Sequence, residues 1–372
     1  MPKTYFIKTY GCQMNAADSA KLEGVLESAG YQKIRGSGSG DQESGYQDAD
    51  IILVNTCVVR QNAEDRAAWF IQSLKGQKKV NPNLKIGLCG CLAPEPERNL
   101  KEQFPHVDFF IPPNSPEKLE EILKHDSHTS SPIPQTGMGD GVWGKRKASF
   151  VSIMHGCDNF CSYCVVPYVR GREFSRPMAE VLAEVKGLIE QGATDITLLG
   201  QNVNSYKYGL ANMLREVGKL FLLPVTRYSL RFMTSHPKDM TDEIIETVAE
   251  LPYVVKDFHL PVQSGDDEIL RRMNRGYTIE YYLDRVKKIR SLRPQARIST
   301  DMMVGFPGET DEQFENSLKL INEVGFTMVN MFAYSTRPQT AAAKMPDQAP
   351  EEIKQARLQK LIAVVREVVR MI

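Results

Sequence analysis

The chain reads as α/β in two successive blocks, a parallel sheet covered by helices over residues 1–126 and an open partial barrel of six βα units over residues 146–350. Three observations predict this. Short apolar runs alternate with helix-like stretches along nearly the whole length, as parallel strands joined by crossover helices require. A polar, Gly/Pro-rich stretch at residues 127–145 breaks the alternation once and reads as a linker. Beyond it come six more strand and helix alternations, too few to close the usual eight-strand barrel.

In the first block the strands fall at residues 4–9, 51–54, 85–88 and 107–111. Helices are predicted at 16–29, 62–75, 94–103 and 115–124, the last with Ser115 as cap and Pro116 in the first turn. Residues 35–47 are rich in Gly and Ser and read as a surface loop; they lack the Lys-Ser/Thr and the following helix of a phosphate loop. In the second block strands are predicted at 150–154, 195–199, 227–233, 254–260, 296–304 and 327–334. The helices between them fall at 177–191, 211–221, 241–251, 278–292 and 310–324, where Thr310 and Gln313 form a capping-box pair. Residues 351–372 form an amphipathic helix with Leu358, Leu361, Ile362, Val365, Val368, Val369 and Ile372 on one face.

Charge and cysteine usage narrow the class. Lys plus Arg equal Asp plus Glu at 46 each, so no global basic field marks a nucleic-acid binder and any RNA contact must use local patches. Seven cysteines in 372 residues are far from disulfide-scaffold density. With no apolar signal-peptide core and no membrane-length run, the reading is a reduced, cytoplasmic protein without membrane contact.

The chemistry is concentrated in thiols. Cys157, Cys161 and Cys164 stand at C-x3-C-x2-C spacing in the loop after the first barrel strand, where three thiolates can meet one iron-sulfur cluster. Three ligands leave a coordination position open, whereas a closed structural site takes four. Phe160 and Tyr163 precede the last two cysteines and offer shielding from water. Cys12, Cys57 and Cys91 each lie just after a predicted strand, at the carboxyl edge where open α/β sheets bind ligands. Taken singly, each is as readily a small buried hydrophobe. Cys89 sits at the end of its own strand and reads as a core thiol.

Later barrel strand ends carry polar groups able to face a ligand: Gln201, Ser235 and Gln263 are the candidates for cofactor contacts by position. Arg170 and Arg172 follow the cysteine loop beside Tyr168, where guanidinium and aromatic groups can meet phosphate and base. The basic groups around Arg271, Arg275 and Lys287 read as solvated helix faces, and His155, His236 and His259 as structural histidines.

The cysteine loop, with an aromatic before its last thiol, resembles the cluster motif of the radical S-adenosylmethionine (SAM) enzymes. Nearly the whole chain resembles the radical-SAM methylthiotransferases. Thr9-Tyr10-Gly11-Cys12-Gln13-Met14-Asn15, Asn55-Thr56-Cys57-Val58-Val59-Arg60 and Gly90-Cys91-Leu92-Ala93 are similar to the cysteine motifs of the tRNA-modifying MiaB type. Cys161 through Arg172 and Leu199 through Tyr206 continue the match.

The resemblance implies a flavodoxin-like parallel-sheet domain followed by a partial (β/α)6 radical-SAM barrel. It implies two 4Fe-4S clusters, an auxiliary one on Cys12, Cys57 and Cys91 and a SAM-cleaving one on Cys157, Cys161 and Cys164. The implied reaction places a methylthio group on carbon 2 of isopentenyladenosine at position 37, next to the tRNA anticodon. It uses two SAM molecules and a sulfur held at the auxiliary cluster. Implied partners are tRNA through its anticodon loop, SAM and an electron donor such as flavodoxin or ferredoxin, with the chain a monomer.

Rival readings are methylthiolation of threonylcarbamoyl-adenosine or of a ribosomal-protein aspartate, which the Gln13-Met14 wording disfavours, and a non-catalytic iron-sulfur protein. Family members carry a further RNA-binding TRAM domain after the barrel. This chain is therefore expected to be a truncated form, its last helix leading toward that domain.

Overall fold

The computed structural model describes residues 3–34, 45–58, 61–94, 99–126, 141–143, 146–222 and 224–371. They divide into two compact units. The first holds Met1–Ser152 with Tyr168–Gly171, the second Ile153–Pro167 with Arg172–Ile372.

The first unit is built on β1 (Thr4–Thr9), β2 (Gln32–Lys33), β3 (Ile51–Thr56), β4 (Lys85–Gly90) and β5 (Phe109–Ile111). They pair in the order β2-β1-β3-β4-β5, all parallel, with Tyr5 opposite Ile51 and Ile51 opposite Lys85. This is the flavodoxin-like order, and its switch point lies between β1 and β3, where the connections leave in opposite directions and open a crevice.

The helices are α1 (Gln13–Ser28), α2 (Gln61–Val80), α3 (Leu100–Gln103) and α4 (Pro116–Asp126). Side chains alternate across the sheet because the strand period is two. On one face Tyr5, Ile51, Leu53 and Ile111 pack with Leu22, Val25 and Leu26 of α1 and Leu119 and Leu123 of α4. On the other, Phe6 stacks on Tyr46, which meets Phe70 of α2 edge-on. Burying each large apolar side chain contributes about 1.5–3 kcal/mol, so both layers are needed to hold the sheet.

Pro116 opens α4 as its fixed φ predicts. The edge strand β2 is too short to show a period, and the sequence pattern misses it. Of the helix predicted at 94–103 the structure shows Leu100–Gln103, with 95–98 outside the described residues. The loop at 35–44 and the positions of Val59 and Arg60 also lie outside them. Within the stretch read as linker, β6 (Gly141–Trp143) pairs antiparallel with β7 (Arg146–Ser152).

The second unit begins with a short antiparallel pair, β8 (Met154–His155) with β9 (Phe174–Ser175). Between them in the chain comes α5 (Val166–Val169), whose last two residues belong to the first unit, and α6 (Met178–Glu190) follows. The parallel wall comprises β10 (Asp195–Leu199), β11 (Ser229–Phe232), β12 (Asp257–His259), β13 (Arg297–Val304) and β14 (Met328–Ala333). β10 pairs with β11, and β12 with β13 and then β14, all parallel. A parallel bridge from Leu230 to Val254 joins the two groups, and Ile153 donates its N–H to Leu199 at the far edge.

The connecting helices are α7 (Leu210–Lys219), α8 (Asp242–Glu250), α9 (Asp267–Arg272), α10 (Ile279–Leu292) and α11 (Asp311–Val324). The capping box is present: Gln313 N–H donates to Thr310 Oγ1 while Gln313 Oε1 accepts from Thr310 N–H. α12 (Glu351–Met371) buries Leu361, Val365 and Val368 of the predicted stripe, with Leu358 and Ile362 half-buried and Ile372 outside the described residues.

Candidate functional site

In the first unit each of the three separated cysteines follows a strand: Cys12 comes after β1, Cys57 after β3 and Cys91 after β4. The parallel register brings these strand ends to one edge, beside the β1/β3 switch point. They are close enough that the charges of Cys57 and Cys12 both act on Cys91. Two glycines make the approach possible. Gly11 has φ 120°, and a Cβ there would sit 2.5 Å from Cys57 Cβ; Gly90 has φ 85°, and its Cβ would sit 2.3 Å from Asn55 Oδ1.

Buried amides brace the edge. Asn15 Nδ2 donates to Asn55 Oδ1 (3.0 Å) and to the Thr56 carbonyl (2.7 Å). Asn55 Nδ2 donates back to the Asn15 carbonyl and to Ser19 Oγ, both at 2.9 Å. Thr56 Oγ1 donates to the Cys89 carbonyl, and its backbone carbonyl accepts from Cys91 N–H at 3.0 Å. Cys12 is exposed while Cys57 and Cys91 are buried. Burial pushes the Cys91 thiol up to about 12, and the nearby Arg170 guanidinium opposes it. Cys89 belongs to the apolar core with Tyr5 and Leu26, as its in-strand position predicts, and burial pushes its thiol well up.

In the second unit Cys157, Cys161 and Cys164 occupy one loop whose backbone bends at Gly156 (φ 73°) and Phe160 (φ 46°). The three interact electrostatically: Cys164 is pushed up to about 12 by burial and then by Cys161, with a smaller push from Cys157. Asn159 Nδ2 donates to Cys157 Sγ at 3.5 Å. Asn274 Nδ2 clamps the loop through the carbonyls of Asn159 and Phe160, both at 3.0 Å. Tyr163 packs against the cluster of Met273, Phe306 and Tyr334, whereas Phe160 is exposed and carries the Arg172 guanidinium over its ring.

Two side chains at this loop have partners that sequence reasoning did not assign. Arg275 was expected on a solvated helix face, yet it is buried. It donates from Nη1 to Cys161 Sγ (3.4 Å), from Nη2 to the Pro261 carbonyl and from Nε to Tyr277 OH. His236 Nδ1 accepts from Lys238 N–H, which leaves its proton on Nε2, 3.9 Å from Cys161 Sγ. Burial and then Arg275 drive its pKa down to about 2, so the imidazole is neutral. The sequence signals were the turn Arg275-Gly276 after a helix, Gly276 having φ 68°, and the place of His236 in the polar stretch after β11.

The remaining predicted positions sort clearly. Gln201 follows β10, with its Oε1 buried and lacking a hydrogen-bond partner. Ser235, buried, follows β11 beside Thr234 (φ 72°), and the Asn202 side chain ties the two turns by accepting from His236 N–H. Gln263 follows β12 at φ 76° and bridges to Met302. Three consecutive strand ends thus present polar groups, two beside non-glycine left-handed backbone that the surrounding wall must hold in place.

Arg172 is exposed and forms a bidentate pair with Asp158 (2.7 and 3.1 Å). Arg170 is a correction. It was expected to meet phosphate, but it is buried in the first unit with Nε 3.2 Å from Cys91 Sγ and Nη2 3.0 Å from Asp18 Oδ2. The Asp18 carboxylate and the thiol take the place of an outside anion.

Among the described residues no three His, Cys, Asp or Glu side chains converge tightly enough for a single metal ion. A cubane cluster is a different demand, because each thiolate takes a separate iron and the ligands stand around a larger core. Both thiol sets suit it: three sulfurs, and a buried arginine donating to one of them, which offsets the negative charge of thiolate and sulfide. Iron binding would displace the protons that burial holds on Cys91 and Cys164.

Comparison with known proteins agrees. Residues 151–321 match the Radical SAM superfamily, and residues 4–112 match the family described as Uncharacterized protein family UPF0004. The tRNA-2-methylthio-N(6)-dimethylallyladenosine synthase of Clostridium novyi is 43% identical over 98% of this chain and 82% of its own. That of Syntrophotalea carbinolica is 38% identical over 99% and 85%.

Among solved structures, the radical S-adenosylmethionine methyltransferase TsrM from Kitasatospora setae, solved with tryptophan and a SAM analog, superposes with TM-score 0.68 at 16% identity. It covers 92% of this chain and 75% of that one. The cobalamin-dependent radical enzyme OxsB superposes with TM-score 0.62 at 12% identity over 99% and 56%. These two likenesses establish the fold, a parallel-sheet unit followed by a radical-SAM partial barrel. The identity to the synthases over nearly the full length establishes more: this chain belongs to the family of the radical-SAM tRNA-2-methylthio-N(6)-dimethylallyladenosine synthases.

Proposed function

We infer that the chain is a radical-SAM methylthiotransferase that converts N6-dimethylallyladenosine, the isopentenyladenosine next to the tRNA anticodon, to its 2-methylthio derivative. It uses SAM and 4Fe-4S clusters. The observation that carries this reading is the full-length identity to the named synthases, which also favours it over threonylcarbamoyl-adenosine, a ribosomal protein or a non-catalytic role.

The ligands of the two clusters are our assignment: Cys12, Cys57 and Cys91 for the auxiliary one, Cys157, Cys161 and Cys164 for the SAM-cleaving one. When bound, the clusters supply the electron that cleaves SAM and the place from which sulfur is delivered to an unactivated C–H carbon. The chain supplies the rest. Arg275 and neutral His236 flank the buried Cys161 sulfur, and Asn274 holds the loop through the Asn159 and Phe160 carbonyls. Gln201, with its unsatisfied Oε1, Ser235 and Gln263 are proposed to contact SAM from successive strand ends. Exposed Arg172 over Phe160 is proposed to meet phosphate and a stacked base of the anticodon loop.

No helix among the described residues is long and apolar enough to cross a membrane. A cytoplasmic monomer reduced by a flavodoxin or ferredoxin completes the proposal.

The test is anaerobic reconstitution with iron and sulfide, then reaction with SAM, reductant and N6-dimethylallyladenosine-containing tRNA, read by nucleoside mass spectrometry. The methylthio nucleoside and 5′-deoxyadenosine are expected together. SAM cleavage without tRNA modification would overturn the substrate, and absence of SAM cleavage by the fully loaded protein would overturn the enzyme.

A further inference from the structure

Four residues of the second block, Tyr168–Gly171, belong to the first unit although the residues on both sides belong to the second. Within this excursion the Arg170 side chain is 3% exposed. A guanidinium is planar and rigid, so two contacts fix the direction of every remaining N–H. Here Nη2 takes one oxygen of Asp18 and Nε takes the sulfur of Cys91. Nη1 is buried with no partner, and so is the second oxygen of Asp18.

An arginine placed only to pair with a carboxylate would present a fork to both oxygens. This one splits its fork between a carboxylate and a thiol, so one charge-assisted N–H is committed to the sulfur. The corresponding arginine of the second unit differs, since Nε, Nη1 and Nη2 of Arg275 all have partners.

We propose that Arg170 is a positioning residue of the three-thiol site in the first unit, a buried cationic donor that holds the Cys91 sulfur and raises the reduction potential of the sulfur-rich group bound there. The proposal rests on the reading that Cys12, Cys57 and Cys91 ligate an iron-sulfur cluster. Hydrogen bonds to cluster sulfurs and nearby positive charge favour the reduced, more negative state. Asp18 has the opposite sense, because it neutralises the guanidinium while holding it in place.

The opposed signs give the test. The full chain carrying Cys161→Ala is reconstituted anaerobically, so that the first-unit cluster is the signal followed, and its midpoint potential is measured by EPR-monitored redox titration. Arg170→Gln is expected to move the potential down, Arg170→Lys to lie between it and the parent, and Asp18→Asn to move it up. An unchanged potential in Arg170→Gln, or a shift of the same sign in Arg170→Gln and Asp18→Asn, overturns the proposal, the latter because general loosening acts in one direction. Should Arg170→Gln not hold a cluster, Arg170→Lys below the parent with Asp18→Asn above it supports the proposal, and any other order overturns it. A parent chain that holds no cluster overturns the ligand assignment and the proposal together. A parent that holds one while the variants fail to shift overturns the role of Arg170 alone.

Discussion

The two thiol sets solve one problem by opposite routes. In the second unit the three cysteines share one loop, bent by Gly156 and Phe160, clamped by Asn274 and flanked by Arg275. In the first unit they are dozens of residues apart and meet because three parallel strands end at one edge, braced by Asn15, Asn55 and Thr56. A local loop needs little help to hold its shape. An assembled edge depends on sheet register and on side chains buried for no other purpose. The difference teaches where each site is vulnerable: the first to loss of packing, the second to loss of a ligand.

The largest effects separate the chemistry of the sets. Cys161→Ala is expected to bring 5′-deoxyadenosine formation down to the no-enzyme background. Cys57→Ala is expected to leave SAM cleavage within a few-fold of wild type and remove the methylthio nucleoside; equal loss of SAM cleavage in both variants would break the comparison.

Next come paired glycine substitutions read by urea denaturation. Gly90→Ala forces a side chain into the left-handed region and puts its Cβ 2.3 Å from Asn55 Oδ1 and 2.5 Å from the Thr56 carbonyl. A cost of about 3 kcal/mol is expected from strain plus overpacking. Gly276→Ala has comparable φ, but its nearest neighbour is Lys238 Cδ at 3.7 Å, so strain alone should cost about 1 kcal/mol. Equal costs would mean that the assembled edge is no more tightly packed than the loop.

The second unit also carries a pH signature. Glu309 accepts from Gly305 N–H after β13 and pairs with Arg357 of α12 at 3.0 Å. Burial nevertheless outweighs these contacts and raises its pKa from 4.5 to about 6. The folded unit therefore favours the protonated carboxyl, and this contribution is fully present below about pH 4.5 and lost as the pH rises through 6. The stability of wild type relative to Glu309→Gln is expected to fall by about 2 kcal/mol across that window. A flat difference would show that Arg357 fully compensates the buried charge.

The smallest effect expected is that of Asn274→Ala, about 1 kcal/mol from two lost hydrogen bonds at an exposed position. The iron content of the loop site should be retained. Loss of iron would make the loop as dependent on its surroundings as the assembled edge.

Much of this molecule was legible in its sequence, and for local reasons. The C-x3-C-x2-C thiols lie within eight residues of one loop, so their short spacing marks them as one group. The Thr310–Gln313 capping box and the apolar stripe of α12 follow from helical period, and the strand alternation foretold two parallel α/β units. Cys12, Cys57 and Cys91 could be placed at one carboxyl edge as strand-end thiols, but the amides that brace that edge were beyond sequence, because register across a parallel sheet joins residues far apart in the chain. The same holds for charge. Arg170 and Arg275 each precede a glycine and read as surface groups, yet both are buried against a cysteine sulfur. Their partners, Asp18 and Cys91 for one, Cys161 and the Pro261 carbonyl for the other, come from distant segments. Sequence by itself determined which residues could ligate and which elements would carry them. Tertiary structure decided which amides brace the strand ends and which arginines face the sulfurs, because desolvating a guanidinium is favourable only where folding has already placed its acceptors.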